Sequence, residues 1–165
     1  GGRDRTPPAC DWRRDWARAV ELWDPDVVLW HTGTWSTYDR HVEGMDLVAG
    51  SAEWHDAVAE AHAEALAILG SVGARVVVAV TAPAWETERG KPAETTPEEA
   101  ARRTPQLLEA VSSAAARSEQ VMVLDTSEAI CDPSCERPDL RSDGVHYTPD
   151  GASAVAAWIT QAGGF

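Results

Sequence analysis

The stretch "RSDGVHYTPDGASAVAAWI", residues 141–159, sets Asp143 and His146 three apart around Gly144. Histidine as a residue type titrates near neutral pH, so it can take a proton and return it. It does so reliably when a carboxylate fixes one ring nitrogen, which sets the tautomer and stabilises the imidazolium. Gly144 allows the tight turn that would let both side chains face one way. A plainer role suits the same residues: Asp143 caps the turn, and His146 is a polar residue ahead of a helix. The group such a pair would activate is harder to find. No Gly-Asp-Ser and no Gly-x-Ser-x-Gly occurs in the chain. Ser36 and Ser127 follow apolar runs, but neither sits in a recognisable nucleophile turn.

The elements that must position these residues alternate. "CDWRRDWARAVELWD" has Trp12, Trp16, Val20 and Trp23 at helical spacing, which predicts an amphipathic helix ended by Pro25, its tryptophans in the core. "DVVLWHTG" reads as a buried strand closed by Gly33. "SAEWHDAVAEAHAEALAILGSVG" is a long Ala-rich helix that starts at Ser51 and stops at Gly70 or Gly73. "ARVVVAVTAP" is apolar throughout, as a parallel interior strand should be. "TPEEAARRTPQLLEAVSSAAARS" predicts a helix with Pro97 in its first turn and a kink or restart at Pro105. "QVMVLDTSEAI" supplies the third strand. After a loop from Cys131 to Tyr147, Thr148 caps a last helix with Pro149 at its first position. Helices between strands imply parallel βαβ units and a three-layer αβα fold of flavodoxin-like type. Three strands fall short of the four to six usual in such a sheet, as if an N-terminal strand were lacking. Ligands in these folds sit beyond the carboxyl ends of the strands. There lie 31–38, 81–91 and 125–146.

Taken with those elements, "RSDGVHYTPDGASAVAAWI" resembles the last block of the SGNH hydrolase superfamily, the GDSL-type esterases. The resemblance implies that His146 is a catalytic base and Asp143 its orienting partner. "PDVVLWHTGTW" resembles the family's third block, and there Gly33 matches the glycine whose backbone N–H helps to form the oxyanion hole. Trp35 stands where the family has an Asn, which removes a side-chain donor worth roughly 3 kcal/mol in a well-studied hydrolase. This departure, together with Arg141 just before the D-G-x-H segment, is similar to SGNH domains fused to membrane acyltransferases of the acyltransferase-3 type, which modify cell-surface polysaccharides. The resemblance runs from about Asp11 to the C-terminus. It implies a single SGNH-like domain over 1–165, truncated at its N-terminus, whose nucleophilic serine is encoded upstream. It further implies an acyl-ester substrate such as an O-acetylated glycan, no cofactor or metal, and fusion to an upstream membrane domain in an extracytoplasmic setting. His31, Trp35 and Arg141 are candidates to contact substrate. The competing reading is a degenerate hydrolase module that binds a glycan or a partner without catalysis.

Charge narrows the partners. The chain of 165 residues has a formal net charge of −13. Its first twenty residues hold five Arg and three Asp, a net +2, so the remainder carries −15. An acidic surface excludes nucleic acid, whose phosphates need a basic one. Cys131 and Cys135 lie close enough in "CDPSCERP" for a local disulfide, which would imply an oxidising compartment; reduced thiols are the alternative. His55 and His62, seven apart on the long helix, read as a solvated face rather than a metal site. Glu86, Glu88, Glu94, Glu98 and Glu99 read as an acidic surface run.

Overall fold

The structure, a computed structural model, describes residues 11–42, 44–84, 96–132 and 134–165. Cys10, Glu86, Glu88 and Glu94 lie outside these residues. Helix α1 (Trp12–Trp23) is capped by Asp11, whose side chain accepts from the Arg14 N–H. It ends at Asp24, which takes a left-handed conformation and returns its N–H to the Val20 carbonyl. Strand β1 (Val27–Thr32) follows, then a 3-10 turn at Thr34–Thr37. Two three-residue strands, β2 (Arg40–Val42) and β3 (Met45–Leu47), pair antiparallel as a small hairpin that the sequence reading missed. Helix α2 (Ala52–Leu69) starts at the Ser51 cap and stops at Gly70, as its sequence predicts.

Strand β4 (Arg75–Val80) is the centre of the sheet. Its Val76–Val80 run is fully buried, which the continuous β-branched sequence anticipates. Helix α3 (Pro97–Ala115) opens with a capping box between Thr96 and Glu99. It passes Pro105 as one continuous helix, so the restart expected there does not occur. Strand β5 (Val121–Asp125) is shorter than its sequence run suggests: Ser127–Ile130 turn into the short helix α4. Helix α5 (Pro149–Gly163) closes the chain on the Thr148 cap.

The sheet order is β1-β4-β5, all parallel. One face buries Val76, Val78 and Val80 against Trp54, Val58 and Leu66 of α2 and Leu107 and Val111 of α3. The opposite face buries Ala79 and Ala82 with Ile130, Val155 and Ile159. These two cores make the three-layer αβα fold. β1 has β4 on one side and no strand on the other among the described residues. Two placements correct the sequence reading. Trp23, the last residue of α1, is 78% exposed rather than in the core, because it borders an open groove with Val27, Val28 and Leu29 instead of being covered by another element. His62 is buried, not on a solvated face, because α2 turns it inward onto Trp30.

The segment that carries Asp143 and His146 is closed at its base. Thr148 donates its N–H to the Leu140 carbonyl at 2.8 Å and its hydroxyl to the Asp139 carbonyl at 2.9 Å. Gly151 permits that closure, since a Cβ there would lie 2.1 Å from the Leu140 oxygen. Gly151→Ala is expected to destabilise the protein by about 1–3 kcal/mol through this overlap. Urea denaturation measures the change, and an unaltered midpoint contradicts the assigned contact.

Candidate active site

Each strand of the parallel sheet delivers residues to its carboxyl edge. β1 ends in His31 and Thr32, with Gly33 next; Thr81 follows β4; Thr126 follows β5. Their backbones are stitched together: the Thr81 N–H donates to the Thr32 carbonyl at 2.8 Å and the Thr126 N–H to the Val80 carbonyl at 3.0 Å. The hydroxyls repeat the pattern. Thr81 donates to the Thr32 carbonyl at 2.9 Å, and Thr126 donates to the Val80 carbonyl at 2.9 Å while accepting the Ala82 N–H. Because the Thr81 proton is used this way, its oxygen accepts from His31 Nε2 at 3.1 Å. Gly33 is a glycine for a packing reason. A Cβ there would fall 2.3 Å from the Thr81 Cβ. Among the described residues no acceptor takes the Gly33 N–H.

The D-G-x-H turn stands over this edge. Gly144 adopts a left-handed conformation (φ 78°) and donates its N–H to the Arg141 carbonyl at 3.0 Å. That turn brings both oxygens of Asp143 into use. One accepts the backbone N–H groups of Val145 at 3.0 Å and His146 at 2.7 Å. The other meets His146 Nδ1 at 2.8 Å. The two roles open in the sequence, turn cap and histidine partner, are therefore held by one carboxylate at once. Nδ1 donates to Asp143, which leaves Nε2 as the basic nitrogen; it has no partner among the described residues, and the His146 side chain is 60% exposed. Partial burial pushes the Asp143 carboxyl up, but the hydrogen bonds from the His146 ring, the His146 N–H and the Val145 N–H outweigh it and hold the pKa at about 2.

Tyr147 joins the turn to the sheet. Its ring centroid lies 6.0 Å from that of His31, and its hydroxyl lies 3.4 Å from Thr126 Oγ1. Tyr147, Thr81 and Thr126 were missed in the sequence. Their only signal is position: the two threonines come next after the apolar strands, and the tyrosine follows the histidine.

Arg141 has a different use from substrate contact. It is wholly buried. Its guanidinium donates to the carbonyls of Ala82 at 3.3 Å, Pro83 at 2.9 Å and Cys135 at 2.7 Å. It thus ties the turn to the chain leaving β4 and to the loop that Cys131 and Cys135 close as a disulfide. Trp35 is at the functional end and 62% exposed, its ring edge-on to Tyr38 at 5.6 Å. The described residues bring no serine into hydrogen-bond contact with His146, and Ser36 bonds instead toward Thr32. No cluster of three or more metal-ligating residues occurs among the described residues.

A parallel αβα sheet with an Asp–His pair on the loop that follows its last strand, and a strand-end glycine N–H with no acceptor among the described residues, has the layout of a three-layer α/β module with a ligand site at the carboxyl edge of its sheet. The chain belongs to the family of SGNH domains fused to AT3 domains, which it matches over residues 1–161. That family places it among esterase- and acyltransferase-like hydrolase modules. Neither the curated proteins nor the solved structures compared with it gave a match.

The Asp143 hydrogen bonds have a consequence for acid stability. The folded pKa lies below the value of 3.8 that the group has when free, so its stabilising contribution is present above that value and is lost as pH falls toward about 2. Asp143→Asn is expected to lower the urea midpoint near neutral pH, with the gap to the native chain shrinking as pH falls through that window. A gap that stays constant with pH contradicts the assignment.

Proposed function

We propose that this chain supplies the base, its orienting carboxylate and one oxyanion donor of a serine esterase or O-acyltransferase. The observation that carries this is the His146 Nδ1–Asp143 contact of 2.8 Å, with Nε2 unpartnered among the described residues and the neighbouring Tyr147 set against His31 and Thr126 at the sheet end. In this reading the serine comes from a segment encoded upstream of Gly1. The unpaired edge of β1 is where a strand bearing it would pair, next to Gly33. His146 Nε2 takes the serine proton as Oγ attacks the ester carbonyl. Asp143 stabilises the imidazolium that forms. The Gly33 N–H faces the oxyanion. His146 then returns the proton to the departing alcohol, and water or a sugar hydroxyl resolves the acyl-enzyme.

The substrate is an acyl ester, in this proposal an O-acetyl group on a glycan. The description of the family as fused to AT3 domains supports an upstream membrane acyltransferase as the covalent neighbour. An extracytoplasmic site goes with that arrangement and with the Cys131–Cys135 bridge. No helix among the described residues is long and apolar enough to cross a membrane itself.

The test uses the intact parent protein and an acetyl ester. His146→Ala is expected to lower kcat/KM by about 10⁴-fold or more, and Asp143→Asn by about 10³–10⁴-fold. Turnover that survives either substitution sinks this mechanism. A parent with no turnover at all favours the binding-module alternative.

A further inference from the structure

The proposed ester chemistry uses the side of β1 that faces Thr81 and Tyr147. Side chains alternate along a strand, so Trp30 and Thr32 point the other way from His31. There they line an open cleft of about 320 Å³ with Trp12 and Trp16 of α1, Ser36 and Arg40. Small-molecule pockets run from about 300 to 1,000 Å³, so this one suits a ligand of a single ring.

The three indoles form a connected wall. Trp12 meets Trp16 edge-on at 5.2 Å, and Trp16 meets Trp30 edge-on at 5.5 Å. Trp30 is in turn stacked on His62 at 4.9 Å, which fixes its plane. All three are only half-buried, so ring surface stays open to the cleft. An indole face accepts the C–H face of a pyranose ring as readily as another apolar surface.

Two arginines stand beside this wall: Arg13, paired with Glu64, lies over the Trp12 ring at 4.5 Å from its centroid, and Arg40 lines the cleft. Arg40 is half-buried, and no carboxylate, carbonyl or ring takes its guanidinium among the described residues. The chain holds 27 acidic against 14 basic residues, and Arg13, Arg117 and Arg137 each have a carboxylate. Unlike Arg141, which is also without a carboxylate but donates to three backbone carbonyls, Arg40 has no hydrogen-bond acceptor among the described residues. Burial lowers its pKa, and no anion among the described residues offsets this. A desolvated guanidinium is costly until paired, and a planar carboxylate pairs with it through two parallel hydrogen bonds.

A hydrogen-bonded row ends in the same cleft. His62 Nδ1 donates to the Val58 carbonyl at 2.8 Å, so Nε2 is its acceptor, 3.5 Å from Thr32 Oγ1. Thr32 Oγ1 lies 3.3 Å from Ser36 Oγ. With the Thr32 proton directed to His62 and the Ser36 proton to Thr32, Ser36 offers lone pairs to a ligand hydroxyl.

We propose that this cleft binds a carboxylate-bearing sugar, its C–H face on the indoles, its carboxylate on Arg40 and a hydroxyl on Ser36. The inference rests on the glycan reading of the substrate and specifies it as an acidic glycan. Methyl β-D-glucuronide, methyl β-D-glucoside and inorganic phosphate are titrated into the chain, followed by tryptophan fluorescence and indole N–H NMR signals. The glucuronide is expected to bind at least tenfold more tightly than either other probe and to shift the indole signals. Arg40→Gln is expected to cost at least tenfold in glucuronide affinity, and Trp12→Ala to weaken it as well. If Arg40→Gln does not fold, the comparison of glucuronide with glucoside on the unaltered chain decides. Equal binding of the two glycosides, phosphate binding as tightly as the glucuronide, or no binding at all overturns the inference. The assay involves no ester chemistry. Its failure leaves the esterase reading standing, and an inactive parent leaves the acidic-sugar site standing.

Discussion

Arg141 is a full positive charge with no exposed surface, and no carboxylate among the described residues bonds to it. A buried charge is tolerated only when its hydrogen bonds are filled. Here backbone carbonyls serve the two terminal nitrogens: Ala82 and Pro83 as the chain leaves the central strand, and Cys135 in the disulfide loop, while Nε has no partner among the described residues. The Arg141 carbonyl in turn accepts the Gly144 N–H that forms the D-G-x-H turn. One residue therefore couples the sheet edge, the cysteine loop and the Asp143–His146 pair. Burial lowers the Arg141 pKa, with Tyr147 and Asp143 acting against that, so the site residues themselves help to hold the charge in place.

The position of the pair follows from two further constraints. Thr148 and Gly151 close the loop against the Leu140 carbonyl, which fixes where α5 begins. Gly33 brings the end of β1 against Thr81, which fixes the spacing of the outer strand from the central one. Precise placement matters because general-base chemistry depends on hydrogen-bond reach, and a shift of about 1 Å can cost about 100-fold.

Much of this was legible before any coordinates. The apolar run of β4, the helix starts at Ser51 and Pro97, the Thr148 cap and the Pro149 start are local signals, and local signals survive folding. The D-G-x-H spacing is equally local, because Asp143 bonds to residues two and three positions on. What could not be read depends on contacts between distant residues. Arg141 looked like a ligand contact because its carbonyl partners at 82 and 83 lie nearly sixty residues away. His62 looked solvated because the helix pattern does not say that Trp30 will stack on it. The β2–β3 hairpin was missed because three-residue strands carry too little alternation to stand out. Trp12 and Trp16 were read as core and are half-buried, edge-on neighbours beside an arginine that has no partner among the described residues.

The account turns on His146 serving a serine that Asp143 helps it to activate. A fluorophosphonate that esterifies activated serines tests this on the intact parent protein. The account predicts one covalent adduct on a serine upstream of Gly1, and its loss in a His146→Ala variant that is otherwise folded. An adduct on Ser36 or Ser127, or labelling that does not depend on His146, would contradict it.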